Sequence, residues 1–495
     1  MGRLRDAWRV LTAPQAGHGG GRRAFLGAAP SRLLEDLPSG AAAAPNREIR
    51  QALKVLRARS RHLAQNDGFS KGFLKTLRRN VIGASGFVLQ MQVQMERGGR
   101  PDEDANRRIE AAWQEWAKVG SCDVTGKLSF ADVCRSVIGQ VARDGEALVR
   151  IVRGSRFNRF GLALQILDVA LLDEDLMCAQ GAIGGWRLPA GHTVRSGVER
   201  DEFGRPVAYH LRTTLEGDDC YTAGGRRYQR LPADDIRHLF LSEWADQVRG
   251  VPWLDTAIRA LAMLDGYSEA ELAAARVSAG KMGFYRIDSD EEPDGELAAD
   301  GRLVQKAEAG TFELLPKGVD FQSFDPQHPT QAFADFVGAI LRSAASGSGL
   351  SYPAFANDAA KLSYSALRGV TLEDREEYRT LQAWMIGSLC EPIFAPWLRE
   401  ALITGALSLP PGKFDRFNRP SFTARGWQWV DPLKEVNAMR EAVGLGIAAR
   451  TDLVAERGGD FADTVAKLRA EQAMMEGLGQ PAAPSSTFNI IDQGS

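Results

Sequence analysis

Cysteine is scarce in this 495-residue chain: five residues, at 122, 134, 178, 220 and 390, with no C-x-x-C pair. An odd, scattered set argues against a thiolate metal site and a disulfide framework, and fits a reducing compartment. Net charge is nearly absent too, −2 at pH 7, so there is no general basic field for gripping nucleic acid. A near-neutral protein can still let DNA pass without holding it. No apolar run reaches the ~20 residues of a membrane span, which gives no membrane partner. Gly21–Gly27 (GRRAFLG) has the outline of a twin-arginine export signal, but Arg32, Glu35 and Asp36 interrupt the apolar region that signal needs.

Catalytic signatures are missing as well. There is no Walker A, no H-E-x-x-H and no G-x-S-x-G, and Ser346–Gly349 (SGSG) is too short for a phosphate loop and lacks the Lys-Ser/Thr that follows one. The six histidines (18, 62, 192, 210, 238, 328) stand apart in the chain and read as core or surface residues. Asp168, Asp173, Glu174 and Asp175 form an acidic loop cluster of the kind that is normally solvated rather than metal-bound. The expectation is no cofactor, no metal, no catalytic residue and no enzyme.

What is there is length, a hydrophobic content of 44% sufficient for two to four domains, and one organising stretch, Val251–Leu407. From Trp253 to Lys281 there is no proline, and Leu254, Ala257, Ile258, Leu261, Leu264, Leu272 and Ala275 recur at helical spacing. Residues 282–329 are rich in Gly, Pro and charge, with β-like runs at Phe284–Ile287 and Thr311–Leu315. Helical period returns at Phe333, Phe336, Val337, Ile340, Leu341 and Ala344. Ser346–Gly349 is expected to break it, and a third helix is expected from Ser363 to Leu407. Two helices around an excursion make a stalk with a tip.

Before the stalk, residues 1–46 carry six Arg against three acids; they read as a mobile basic arm, either a plain tail or a contact to another component. Two helices follow in 47–82, divided at Asn66-Asp67-Gly68 and stopped at Gly83. Then come a strand at Phe87–Val93, helices near 102–118 and Ser129–Arg143, strands at Ala147–Val152 and Leu162–Leu167, and a mostly β block over 183–241. After the stalk, Phe414–Val430 is β-like. Asp431-Pro432 opens a helix, Thr451 and Asp460 open two more, and 477–495 reads as a disordered tail. No internal repeat is present.

Several segments, taken in order, resemble the lambda-type branch of the phage portal proteins: Arg59–Gly68 (RSRHLAQNDG) with Asn80–Gly83 (NVIG), Arg143–Val149 (RDGEALV), Glu202–Leu211 (EFGRPVAYHL), Leu231–Phe240 (LPADDIRHLF) with Gln247–Leu254 (QVRGVPWL), and Gly349–Tyr352 (GLSY) with Leu362–Arg368 (LSYSALR). Each is weak alone; their order over about 47–470 is specific. The resemblance implies an α+β portal fold, mainly helical: a wing at 47–251, a stem at 252–282 and 330–349, and a clip at 283–329. It implies further a tunnel loop at 350–363, a long wing helix and return strand at 364–430, and a helical crown at 431–476. It implies a homo-oligomeric ring of about twelve copies at one capsid vertex of a phage, prophage or gene-transfer particle. Its partners would be double-stranded DNA in transit, the terminase large subunit, the head–tail connector, and the major capsid and scaffold proteins. Assembly would take place in the bacterial cytoplasm, and the N-terminal piece can be lost on maturation. The alternatives are a nucleic-acid-processing enzyme and a different head–tail adaptor ring.

Elementary dimensions agree with a channel. Twelve helices, each roughly 10 Å across, make a circle of roughly 120 Å, about 38 Å between opposite axes, with a hole of roughly 28 Å that passes a duplex. A helix over Trp253–Lys281 would be roughly 43 Å long. The expected wall is near-neutral: Asp255, Asp265, Glu269 and Glu271 against Arg259, Arg276 and Lys281, with Asp335 and Arg342 cancelling. Such a wall lets DNA slide, where a Lys/Arg-lined wall would bind it; the plain alternative is ordinary solvated helix surface. Arg259, Glu269, Arg276 and Lys281 are the candidate channel-lining residues. Lys361, flanked by Asn357 and Asp358, is the loop cation expected to meet phosphate.

Overall fold

The structure, a computed structural model, describes residues 44–95, 99–215, 228–280, 283–287, 319–323, 331–427 and 432–477. The chain divides into two units, residues 1–48 and residues 49–495, and the second holds the sheets, the core and the stalk.

The first described helices are α1 (Pro45–Asn66) and α2 (Gly68–Leu77). Asp67 separates them: its carboxylate accepts from the Ser70 N–H at 2.6 Å, an N-cap for α2. α2 runs into a π-turn, Arg78–Ile82, which stops at Gly83 with φ of 71°. That left-handed conformation is one glycine adopts without strain. β1 (Val88–Met91) follows, then α3 (Glu103–Trp116) and α4 (Phe130–Asp144). Ser129 and Asp132 close a reciprocal capping box at the start of α4.

All β pairing among the described strands is antiparallel. A three-stranded sheet has the order β10 (Ile236–Leu239), β2 (Ala147–Arg153), β3 (Leu162–Leu167). A four-stranded sheet runs β6 (Thr193–Arg195), β7 (Val198–Arg200), β8 (Pro206–Arg212), β9 (Tyr228–Pro232). A small hairpin joins β4 (Ala182–Ile183) to β5 (Trp186–Arg187). Helices and antiparallel sheets in one unit give the α+β class, predominantly helical, as expected.

The stalk follows as α5 (Ile258–Gly280), β11 (Gly283–Ile287), β12 (Val319–Ser323) and α6 (Gln331–Ser348). A short α7 (Tyr352–Ala356) leads to α8 (Tyr364–Met385), a π-turn at Ile386–Cys390, and α9 (Glu391–Ile403). The chain then makes α10 (Phe414–Phe417), β13 (Pro420–Thr423), α11 (Pro432–Gly444), α12 (Arg450–Ala455) and α13 (Phe461–Gly477).

Four boundaries differ from expectation, each for a local reason. The stalk helix begins at Ile258, because 253–257 form successive turns such as Asp255 N–H to Pro252 O and Ala257 N–H to Leu254 O. Ser346–Ser348 stay helical, and the break falls at Gly349, which holds φ of 75°. The third helix is divided by its π-turn and ends at Ile403, followed by Gly405 at φ of 71°. Within Phe414–Val430 only Pro420–Thr423 is strand among the described residues. The expectations for the arm before residue 44, the strand at Thr311–Leu315, the cap at Asp431, and the tail after residue 477 lie outside the described residues.

One core joins α2–α4, the β2/β3 sheet and α8–α9. Trp113 is its hub, with ring centroids at 4.7 Å from Trp116, 4.9 Å from Trp397, 5.2 Å from Phe130 and 5.7 Å from both Phe394 and Phe422. Aromatic pairs at these separations add about 0.5–1.5 kcal/mol each beyond burial. Trp116 also donates its indole N–H to the Leu162 carbonyl at 2.8 Å, tying α3 to β3. β1 pairs with β13, Val88 opposite Thr423 through Met91 opposite Pro420, so the chain closes on itself. Gln382 seals the same junction: its amide nitrogen reaches the carbonyls of Asn80, Val81 and Arg425 at 3.3, 3.1 and 3.2 Å. The first two belong to the π-turn, whose widened ladder leaves carbonyls in need of donors.

Candidate functional site

The α5–α6 pair is organised by one inner seam. Leu254, Ala257, Ile258, Leu261 and Leu264 are buried on one side, Leu341, Ala344 and Ala345 on the other. Farther along, Tyr267 sits between Phe333 and Phe336, centroids 5.5 and 5.2 Å apart. The outer faces are not polar throughout. Met263 is 63% exposed, Leu272 53% and Phe336 49%. A helix apolar on more than one side needs cover on more than one side.

The candidate lining residues Arg259, Glu269 and Arg276 are all exposed on α5, while Lys281 lies outside the described residues. Helical spacing puts Glu269 and Arg276, seven residues apart, on one face, with Arg259 within about 100° of them, and separates the three along the axis by about 15 and 10 Å rather than gathering them into one cluster. Over Ile258–Gly280 the charges are Asp265, Glu269 and Glu271 against Arg259 and Arg276, a surplus of one acid. α6 adds Asp335 and Arg342, which cancel.

The loop after α7 is built on its C-cap. Asn357 takes the left-handed conformation, φ of 54°, which an asparagine tolerates better than most residues. Asp358 then accepts from the Ala360 N–H and the Tyr352 hydroxyl, each at 3.0 Å. Those bonds, the backbone one first, with the charges of Lys361 and Arg342, hold its carboxyl below the usual carboxylate range. Arg342 lies over the Tyr352 ring at 5.0 Å, which fixes this corner to α6. Lys361 projects into solvent with its ammonium 4.0 Å from Asp335 of α6. The structure thus sets Asn357, Asp358 and Lys361 beside the Asp335–Arg342 stretch of α6, with Asp335 as a neighbour that no local pattern links to them.

Sequence reading also missed two buried ionic knots. Glu146, fully buried, receives Arg57 at 3.0 Å, Arg249 at 2.9 and 3.0 Å, His238 at 2.8 Å and the Gly250 N–H at 3.2 Å. Burial pushes this carboxyl up, but the Arg249 charge and the His238 hydrogen bond and charge more than reverse it, leaving it well below its ordinary value. Glu199 receives His192 and His210, each at 3.0 Å, and Arg230 at 2.8 Å. Here burial is outweighed by the bonds from Arg230, His192 and His210, and the carboxyl falls to about 2. His192 and His210, far apart as motifs, therefore share one carboxylate. Glu146 and Arg249 both sit in portal-like segments (RDGEALV and QVRGVPWL), the one local signal that marks them.

Within the acidic loop cluster, Asp168 and Asp173 are engaged by cations and donors, Glu174 has a cation nearby, and Asp175 is exposed. Asp168 pairs with Arg61 at 2.7 Å, Asp173 with Arg212 at 2.6 Å and with the Tyr228 hydroxyl at 2.6 Å, and Glu174 lies 4.0 Å from Arg57. Among the described residues there is no His/Cys/Asp/Glu group suited to a metal ion, and no helix long and apolar enough to cross a membrane.

Comparison with known proteins places the chain. The lambda-family model of phage portal proteins matches residues 37–382, more than two thirds of the length. A probable portal protein of Halomonas phage phiHAP-1 is 35% identical over 433 residues, covering 86% of this chain and 82% of that protein. Portal protein B of Escherichia phage lambda is 23% identical over 474 residues, covering 87% and 86%. The solved neck of an empty gene transfer agent (GTA) particle, computed with C6 symmetry, aligns at a TM-score of 0.42 and 14% identity, over 88% of this chain and 94% of that one. With a family model and a relative at 35% identity both spanning most of its length, the chain belongs to the lambda family of phage portal proteins.

Proposed function

We propose that about twelve copies of this portal protein close into a ring at one capsid vertex, with α5 and α6 turned towards a common axis that double-stranded DNA follows during packaging and ejection. The family membership makes the chain a structural component of a phage or phage-like particle, not an enzyme. The observation that carries the ring is the pair of half-covered helices: Met263, Leu272 and Phe336 are apolar, exposed, and on elements that already pack one face within the chain. A neighbouring copy supplies the missing cover. α11 and α13 carry the same mark in Leu433, Leu468 and Met474, which fits a second belt of subunit contact.

In this reading 47–251 is the wing, 252–282 and 330–349 the stem, 283–329 the clip, 350–363 the tunnel loop, 364–430 the long wing helix and its return, and 431–476 the crown. The terminase large subunit, and later the head–tail connector, dock at the clip; capsid and scaffold proteins meet the wing. The small acidic surplus of the stem leaves DNA free to slide, because few phosphates are neutralised. Lys361 is the loop cation that meets the backbone. Its pair with Asp335 is exposed on both sides, a kind worth about 0–1 kcal/mol, so a passing phosphate exchanges for the carboxylate at little cost. Purified protein examined by native mass spectrometry tests the ring. Closed assemblies of about twelve copies support it, and monomers at every protein and salt concentration exclude it.

A further inference from the structure

We propose that the cavity between α1, α2 and the C-terminal end of α4 is a binding site for a phosphate-class anion, either free phosphate or the phosphodiester of a nucleic-acid strand. The cavity measures about 450 Å³ and is lined by Arg61, Lys71, Lys75, Arg78 and Arg143, with Asp168 as its one acidic wall residue. None of its lining residues belongs to the α5–α6 pair or its loop, and the proposal does not depend on the ring.

The charges do not balance. Arg61 bonds Asp144 and Asp168, each at 2.7 Å, and Arg143 bonds the same Asp144 at 3.1 Å. Two carboxylates therefore answer two guanidiniums, and Lys71, Lys75 and Arg78 remain without an acid among the described residues. Arg78 is the telling member. Its Nε is buried and has no hydrogen-bond partner. Burial pushes its pKa down and the charge of Arg143 pushes it further, with no carboxylate acting in the other direction.

A half-buried guanidinium whose Nε is buried and unbonded, beside another cation, is costly unless an anion joins it, and the fold is shaped to keep it there. Arg78 begins the π-turn, a geometry that re-aims side chains and recurs at functional sites. Gly139 of α4 provides the space, since a methyl there would collide with the guanidinium. A phosphate group brings one to two negative charges and several acceptor oxygens in a small volume, which suits a converging set of guanidinium and ammonium donors. An acidic peptide spreads its carboxylates along a chain and suits a groove better than this cavity.

The test uses the full-length protein, titrated by calorimetry at low salt with inorganic phosphate, with a short single-stranded DNA oligonucleotide, and with a poly-glutamate peptide. Arg78→Gln and the double variant Lys71→Gln/Lys75→Gln are titrated beside it. The proposal predicts saturable phosphate binding, weakened at least tenfold by each variant and weakened as salt rises. If oligonucleotide binding falls with Arg78→Gln in parallel, the natural source is a nucleic-acid strand; if only inorganic phosphate depends on Arg78, the source is free phosphate. No phosphate binding, or binding equal in wild type and variants, overturns the proposal. Arg78-dependent binding of the peptide without phosphate binding overturns it in favour of a protein partner. Should Arg78→Gln fail to fold, the double variant decides alone, because Lys71 and Lys75 are exposed.

Discussion

Glu146→Gln removes a single charge from the most buried knot in the molecule. Glu146 is 0% exposed, and it is the carboxylate on which Arg57, Arg249 and His238 converge. Arg57 and Arg249 are themselves buried, at 4% and 1% exposure. Glutamine keeps the shape and part of the hydrogen bonding but leaves two guanidiniums without their shared counter-charge. Arg57 retains Glu174 at 4.0 Å, whereas Arg249 keeps only the carbonyls of Leu172 and Ser196. Breaking a buried pair on one side costs about 3–5 kcal/mol. At about 2–4 °C per kcal/mol for a large domain, the melting temperature should fall on the order of 10 °C. The wild-type pH dependence has a definite sign. The folded carboxyl lies below its unfolded value, so its contribution is complete above the unfolded pKa of about 4.3 and is lost as pH falls below it. Differential scanning fluorimetry from pH 8 to pH 3 measures both effects. The variant should lose the part of the acid-side slope due to this group. A melting temperature within about 2 °C of wild type at pH 7 refutes the assignment of Glu146 as the charge that holds α1, β2, β10 and the 247–250 turn together.

Other expectations are quickly checked. Lys361→Glu sets a second acid against Asp335; ring formation should be unchanged, whereas DNA packaging or retention should alter, and normal packaging removes Lys361 from the DNA path. Met263→Glu places a charge on an apolar surface proposed to face a neighbour, so assembly should weaken while the stability of the monomer moves by less than about 1 kcal/mol; intact rings at wild-type yield contradict that contact. Gln382→Ala strands the carbonyls at the first π-turn, costing about 1–3 kcal/mol, read as a lower urea midpoint with an unchanged slope. An unchanged midpoint means water replaces the amide.

Local signals in the sequence carried most of the elements. The Asn66-Asp67-Gly68 turn marked the boundary between α1 and α2, Gly83 marked a stop, and alternation over Phe87–Val93 marked β1. The pairing of β1 with β13 was not legible, because strands more than three hundred residues apart leave no local pattern at either end. The π-turns were hidden for a related reason: one extra residue in a helical turn hardly disturbs an apolar period, and only the docking of Gln382 reveals it. The candidate loop was found as a place but not as a structure. Asn357, Asp358 and Lys361 were legible as polar loop residues, whereas the Asp335 partner and the Tyr352–Arg342 corner depend on α6 folding back beside them. The ionic knots at Glu146 and Glu199 were illegible, since their members come from separate segments and nothing at any one of them shows the others.

The central claim is a ring of this chain whose bore is walled by α5 and α6, and cryo-electron microscopy of the purified assembly tests it most directly. The account predicts a closed ring of about twelve subunits with residues 258–280 and 331–348 around a passage wide enough for a DNA duplex. Isolated subunits, or a ring whose passage is walled by the 147–239 sheets with α5 and α6 turned outward, contradict it.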